Sequence, residues 1–331
     1  YLLVSETGNN FDETYIYPEI PDHFAVGNHD YDSSDHGLFI AGIVHLIAPK
    51  AKIYVIQVIN DNGVGTFQNY TAGFKKILEL HQAENSNAIP IVNCSFVLSI
   101  PIDGHDGSAL DATLAAFEAT HQGFKPQMDA FRDALNGSLL TNATVFAASG
   151  NDSTGNGINR TSHKLPRYPA QFENVIGVGS VTWNRQNRNQ RDIADYSNQA
   201  DKPNYEGFYV YGGQFDDHSA KQPVGQGKED YDDGGDGVIS IFTGDLDIAV
   251  PRPGHSHDEQ VEKAKVKAAH VPNGYAEWKG TSFATPVVAG MVAYLISEWG
   301  ETPVNALNLI DQNCDKSSGL RKFKFGKQRH P

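Results

Sequence analysis

The chain has 331 residues, 39% hydrophobic content and 32 glycines, enough to bury a large core, and it reads as one α/β domain over residues 1–331 with a Gly/Asp-rich insertion at about 212–258. Its 26 Lys and Arg against 40 Asp and Glu leave a net charge of −14, which argues against a nucleic-acid or anionic-membrane partner. The longest apolar run, from Val287, is interrupted at Gly290 and falls short of the roughly 18 residues of a membrane span.

In chain order, apolar runs rich in β-branched residues predict strands at 2–4, 53–59, 89–94, 144–148 and 175–181. Helical patterns lie between and after them, at 37–46, 70–82, 109–120 with 128–140, and from Ser282 onward. Strands alternating with helices predict a doubly wound, mostly parallel sheet covered on both faces, whose reacting groups gather at the carboxyl ends of the strands. Residues 1–5 run straight into the first strand, so no signal peptide is read there, and secreted and cytoplasmic locations both stay open. Nothing in the pattern sets an oligomeric state.

Within the insertion, Asp232-Asp233-Gly234-Gly235-Asp236-Gly237-Val238-Ile239 echoes a calcium loop. Gly234 and Thr243 stand where two of the usual oxygen ligands belong, so calcium lacks a complete ligand set and a solvated acidic turn is the favoured reading. Cys94 reads as a buried strand thiol and Cys314 follows a helical stretch; no disulfide between them is indicated. The basic stretch 321–329 reads as a solvated tail or an edge strand.

The chemistry concentrates in three places. Gly280-Thr281-Ser282-Phe283-Ala284-Thr285-Pro286 feeds a helix that is apolar all round, which sets the Ser282 hydroxyl at a helix mouth beside unpaired backbone N–H groups. Ser282 is therefore a candidate nucleophile; the alternative is that Thr281 or Ser282 is only an N-cap. His36 opens an apolar, small-residue helix, from which one ring nitrogen can face a serine and the other a carboxylate. Asn151 ends the strand 144–148 in a turn, where its amide is a candidate oxyanion donor, an interaction worth about 3 kcal/mol of barrier. An Asx turn is the alternative for Asn151, and a capping imidazole the alternative for His36.

These blocks, in this order, resemble the subtilisin-like serine proteases, the subtilase family. The serine block is similar to that family's Gly-Thr-Ser-(Met/Phe)-Ala-(Ser/Thr)-Pro signature, and supporting similarity extends to Ile91–Ser95, Tyr168-Pro169-Ala170, Tyr196-Ser197-Asn198 and Asp247–Pro251. The resemblance implies an Asp at the end of the first strand, but Leu2-Leu3-Val4-Ser5-Glu6-Thr7-Gly8 puts Glu6 there, with Asp12, Asp32 and Asp35 as lower-ranked rivals. It also implies that Ser95, Phe96, Val97 and Leu98 form a substrate-pairing edge, with Ser149 and Gly150 lining the neighbouring pocket. Leu38-Phe39 replaces the family's Thr-His, Val287 replaces its His, and the calcium-binding loop many members carry after the histidine helix looks absent.

The expected activity is that of a serine endopeptidase with a Glu6/His36/Ser282 triad, no required cofactor, and a peptide or protein substrate. A catalytically inactive module of the same fold that binds a peptide or partner protein in the old cleft is the alternative. An acyl-transferring enzyme using the same intermediate is a third.

Overall fold

The structure, a computed structural model, describes residues 14–15, 36–59, 64–83, 90–98, 118–137, 143–153, 163–183, 191–202, 205–213, 237–241, 275–316 and 321–323. The predicted first strand and Glu6, Asp12, Asp32 and Asp35 lie outside these residues, as do 101–117 and most of the 212–258 insertion.

The central strands are β3 (Ile91–Cys94), β4 (Thr144–Ala148), β5 (Val175–Trp183) and β7 (Phe208–Tyr211), and they pair in parallel in that order. Register runs Cys94 to Ala147, Ala148 to Val178 and Val181 to Tyr211. Alternation along each strand feeds two different cores, as a sheet covered on both faces requires. Val92, Cys94, Val145 and Ala147 point to one face, where α2 (Phe67–Ala83) and α3 (Phe124–Asn136) contribute Phe74, Ile77 and Phe131. Ile91 and Phe146 point to the other, against Ala284, Val288 and Val292 of α4 (Thr281–Trp299) and Ile310 of α5 (Pro303–Gln312).

Antiparallel additions complete the sheet. β6 (Arg191–Ile193) pairs with β5, and β10 (Cys314–Asp315) with β11 (Lys322–Phe323), which itself lies parallel to β7. Lys322–Phe323 of the basic stretch is thus a strand held between β10 and β7, neither a tail nor the edge of the sheet, because β10 covers its outer side. Cys94 and Cys314 are free thiols, both buried, on the first and last strands of the sheet's order. A separate parallel pair joins β1 (Thr14–Tyr15) to β2 (Val55–Ile56). No helix among the described residues is long and apolar enough to cross a membrane, and no group of three or more His, Cys, Asp or Glu among them is placed to hold a metal ion.

Two short parts of the 212–258 insertion, 212–213 and 237–241, are among the described residues. Val238–Ile241, the end of that segment's calcium-like motif, is a strand, β8, paired antiparallel with β9 (Tyr275–Trp278). Ile239 of this strand is exposed, whereas Ser240 is fully buried and donates its hydroxyl to the carbonyl of Phe39 on α1 (His36–Ile47), 2.7 Å away. Two to four alternating residues are too few to raise a strand signal above a Gly/Asp-rich background.

One buried cation holds the turn that leads into β5. The Lys202 ammonium donates to the carbonyl oxygens of Ala170, Phe172 and Val175, the last at 2.6 Å. Burial lowers its pKa to about 8, which leaves it charged at neutral pH. Lys202→Met keeps the stem volume but takes the ammonium from three carbonyls, of which that of Phe172 keeps the Val175 N–H, so a loss of roughly 3 kcal/mol is expected in urea unfolding.

Candidate active site

The first turn of α4 is built by its neighbours rather than by its own cap. Gly280 occupies the N-cap position with φ 155° and ψ 160°, a conformation essentially restricted to glycine, and offers no side chain to the helix. Its N–H donates to the carbonyl of Gly212, just beyond β7, which ties the helix entry to the sheet. The alternative role for Thr281 or Ser282 as the N-cap therefore does not hold. The cap comes from 130 residues away: Asn151 Oδ1 accepts both the Thr281 N–H (2.8 Å) and the Thr281 hydroxyl (2.9 Å).

That pair of donors dictates the orientation of the Asn151 amide. With Oδ1 committed to Thr281, Nδ2 is turned the other way, lying 3.1 Å from where a Cβ on Gly280 would sit. The remaining N–H groups of the turn divide cleanly. Phe283 and Ala284 both donate to the Gly280 carbonyl, whereas the N–H of Ser282 takes no such partner. The head of α4 thus carries two N–H donors not used by the helix, Asn151 Nδ2 next to Gly280 and the backbone N–H of the half-buried Ser282.

The segment that presents Asn151 is fixed on several sides. Gly150 has φ 115°, and a side chain there would meet Asn198 Nδ2 at 2.6 Å; its N–H donates to the Thr281 hydroxyl. Next to Asn151, Asp152 receives Arg167 through Nε (3.0 Å) and Nη2 (2.7 Å). Against the cost of burial, those hydrogen bonds and the Arg167 charge hold the Asp152 carboxyl below its usual range. Asn198 Nδ2 bonds the Leu165 carbonyl and Asp152, so Asn198 braces the same segment. Asp152, Arg167 and Asn198 escaped sequence reasoning as site residues, although Tyr196-Ser197-Asn198 carried a signal for Asn198; Thr281 was read only as a possible N-cap.

His36 heads α1 and reaches the same corner. Its ring lies 5.3 Å from the Phe283 ring and 5.5 Å from the Trp278 ring, centroid to centroid, so it packs beside the residue that follows Ser282. No hydrogen bond joins Ser282 Oγ to this ring. The two departures from the family pattern meet here: Phe39 and Val287 belong to one apolar cluster with Ile40, Ile43, Phe283 and Trp278. Each apolar replacement thus finds apolar partners.

Burial among these groups lowers the His36 pKa from 6.5 to about 3. The unfolded chain protonates this ring near 6.5 while the folded chain resists until about 3, so the unfolded state binds more protons across that window. Folded stability is expected to fall as pH drops through it, with no His36 contribution above it. Denaturant midpoints of the unmodified protein and His36→Gln, taken from about pH 8 to about pH 4, check this; the variant's profile should be flatter.

The expected substrate-binding residues divide by where their side chains go. Phe96 is stacked on Tyr70 at 4.7 Å and Leu98 is buried in the same core, its N–H given to the Tyr168 carbonyl at 2.8 Å. Ser149 is fully buried and donates to the Asn198 carbonyl. Ser95 is turned into the protein, toward Ser282. Val97 is half-buried and Gly150 buried.

A family model described as the subtilase family matches residues 9–308, and the chain belongs to that family. The match takes in His36, Asn151 and Ser282 and begins beyond Glu6. Among relatives, a thermophilic serine proteinase of Bacillus sp. (strain AK1) is 24% identical across 98% of this chain and 59% of its own length. Subtilisin DY of Bacillus licheniformis is 23% identical across 48% of this chain and 47% of its own. The chain thus spans about half the length of these curated relatives. The solved structure of a lanthipeptide protease (22% identical, TM-score 0.51) covers 93% of this chain and is covered over 74% of its own. For the nisin leader peptidase NisP from Lactococcus lactis (18% identical, TM-score 0.52) those shares are 87% and 70%. The α/β architecture of these proteins is the one described above.

Proposed function

We propose that the chain is a serine endopeptidase that cleaves peptide or protein substrates through an acyl-enzyme. The observation that carries this reading is the head of α4, where the Asn151 amide, anchored on Thr281 through its oxygen, leaves Nδ2 facing Gly280 and the Ser282 N–H unused by the helix, at the turn that bears the half-buried Ser282. Ser282 Oγ attacks the scissile carbonyl carbon while its proton passes to His36, and the carbonyl oxygen, now negative, is held by the two N–H donors. Collapse breaks the C–N bond as His36 returns the proton to the leaving amine, and water then repeats the sequence on the ester. Glu6 is assigned to orient and charge-balance the imidazolium. No step draws on a cofactor.

Treatment with an irreversible fluorophosphonate, followed by mass mapping, tests this. Labelling at Ser282 that disappears in His36→Ala is expected; intact, unlabelled protein at neutral pH would replace the enzyme with the inactive binding module. Glu6→Gln is expected to lower turnover by roughly four orders of magnitude with folding unchanged. Full activity in that variant would move the acid to Asp12, Asp32 or Asp35.

A further inference from the structure

The fourth residue after Ser282 is Pro286, and it lies inside α4. In an α-helix the carbonyl of each residue accepts the N–H four positions on, so the donor due to Ser282 is the one proline lacks. The proline ring also crowds that carbonyl and turns it off the helix axis. A carbonyl left unpaired at this spot, between the fully buried Thr281 and the buried Phe283, belongs to the very residue that carries the nucleophile.

The missing donor comes from another strand. Ser95, immediately after β3, gives its hydroxyl proton to the Ser282 carbonyl at 2.6 Å, across 187 positions of sequence. Its oxygen in turn accepts the amide Nδ2 of Asn93 at 2.8 Å, which commits a lone pair and aims the proton at Ser282. Asn93 is itself fully buried in β3, so the relay has a rigid root.

We propose that Ser95 is a positioning residue whose hydroxyl replaces the N–H absent from Pro286 and thereby fixes the Ser282 backbone, and with it the attacking hydroxyl and the oxyanion-binding N–H. This rests on the proposed function. A displacement of about 1 Å at a reacting group costs up to ~100-fold in rate, so a tether of this kind acts on turnover more than on substrate affinity.

The test is a cycle of Ser95→Ala, Pro286→Ala and the double variant, read by the rate of fluorophosphonate labelling at Ser282 and by kcat and KM on a peptide substrate. Ser95→Ala is expected to slow labelling and kcat about 10-fold or more with KM nearly unchanged, and Ser95→Thr, which keeps the hydroxyl, to restore most of the rate. Pro286→Ala supplies an N–H to the same carbonyl. In that background Ser95→Ala should cost less than about twofold. Equal losses in both backgrounds, or no loss from Ser95→Ala, would overturn the positioning role alone. Absence of labelling in the unmodified protein would overturn it together with the enzyme reading.

Discussion

Ser282→Ala is expected to reduce peptide hydrolysis by on the order of 10⁵-fold or more in kcat, and adding His36→Ala to that variant to remove almost nothing further. Nucleophile and base perform one proton-coupled step, so either deletion alone forfeits the whole of it. Folding offers a clean control. Ser282 is half-buried and its hydroxyl makes no bond to His36, so its removal should shift stability by no more than about 0.5 kcal/mol. Single-turnover hydrolysis of a fluorogenic peptide, alongside a denaturant curve for each variant, measures both. Losses that multiply in the double variant would mean that the two residues do not share a step.

Asn151 is expected to give the second-largest effect, and two substitutions separate its two jobs. Oδ1 receives the backbone and hydroxyl of Thr281, while Nδ2 is the assigned oxyanion donor. Asn151→Asp retains the acceptor and deletes the donor, so kcat should fall about 10²- to 10³-fold, some 3–4 kcal/mol, with stability held. Asn151→Ala deletes both. It should show the same kinetic loss plus roughly 1 kcal/mol of destabilisation from the uncapped first turn of α4. An Asp variant as active as the parent would remove Asn151 from the chemistry and leave it a helix cap.

The head of α4 was legible because its signature is local: a Gly-Thr-Ser entry, a proline one turn in and an apolar run need no knowledge of the rest of the chain. Strands 91–94, 144–148 and 175–183 were equally plain, since burial on both faces writes a mostly apolar run without polar alternation. What stayed hidden depends on partners far away in sequence. That Thr281 is capped by Asn151, and that Ser95 faces the Ser282 carbonyl, follow from strand order and helix placement, which no window of residues encodes. The edge 95–98 misled in an instructive way. Alternation announces that Phe96 and Leu98 share a side, but not that this side is the core against Tyr70 rather than the cleft.

The amide proposed to receive the negative charge and the turn that bears the alcohol are brought together by a few bonds between stretches 130 positions apart. On the proposed function, a polypeptide emerging from the ribosome therefore carries an incomplete site until α4 has docked. Hydrolytic competence should appear late and all at once, which makes activity itself a sensitive gauge of whether the last helices have seated on the sheet.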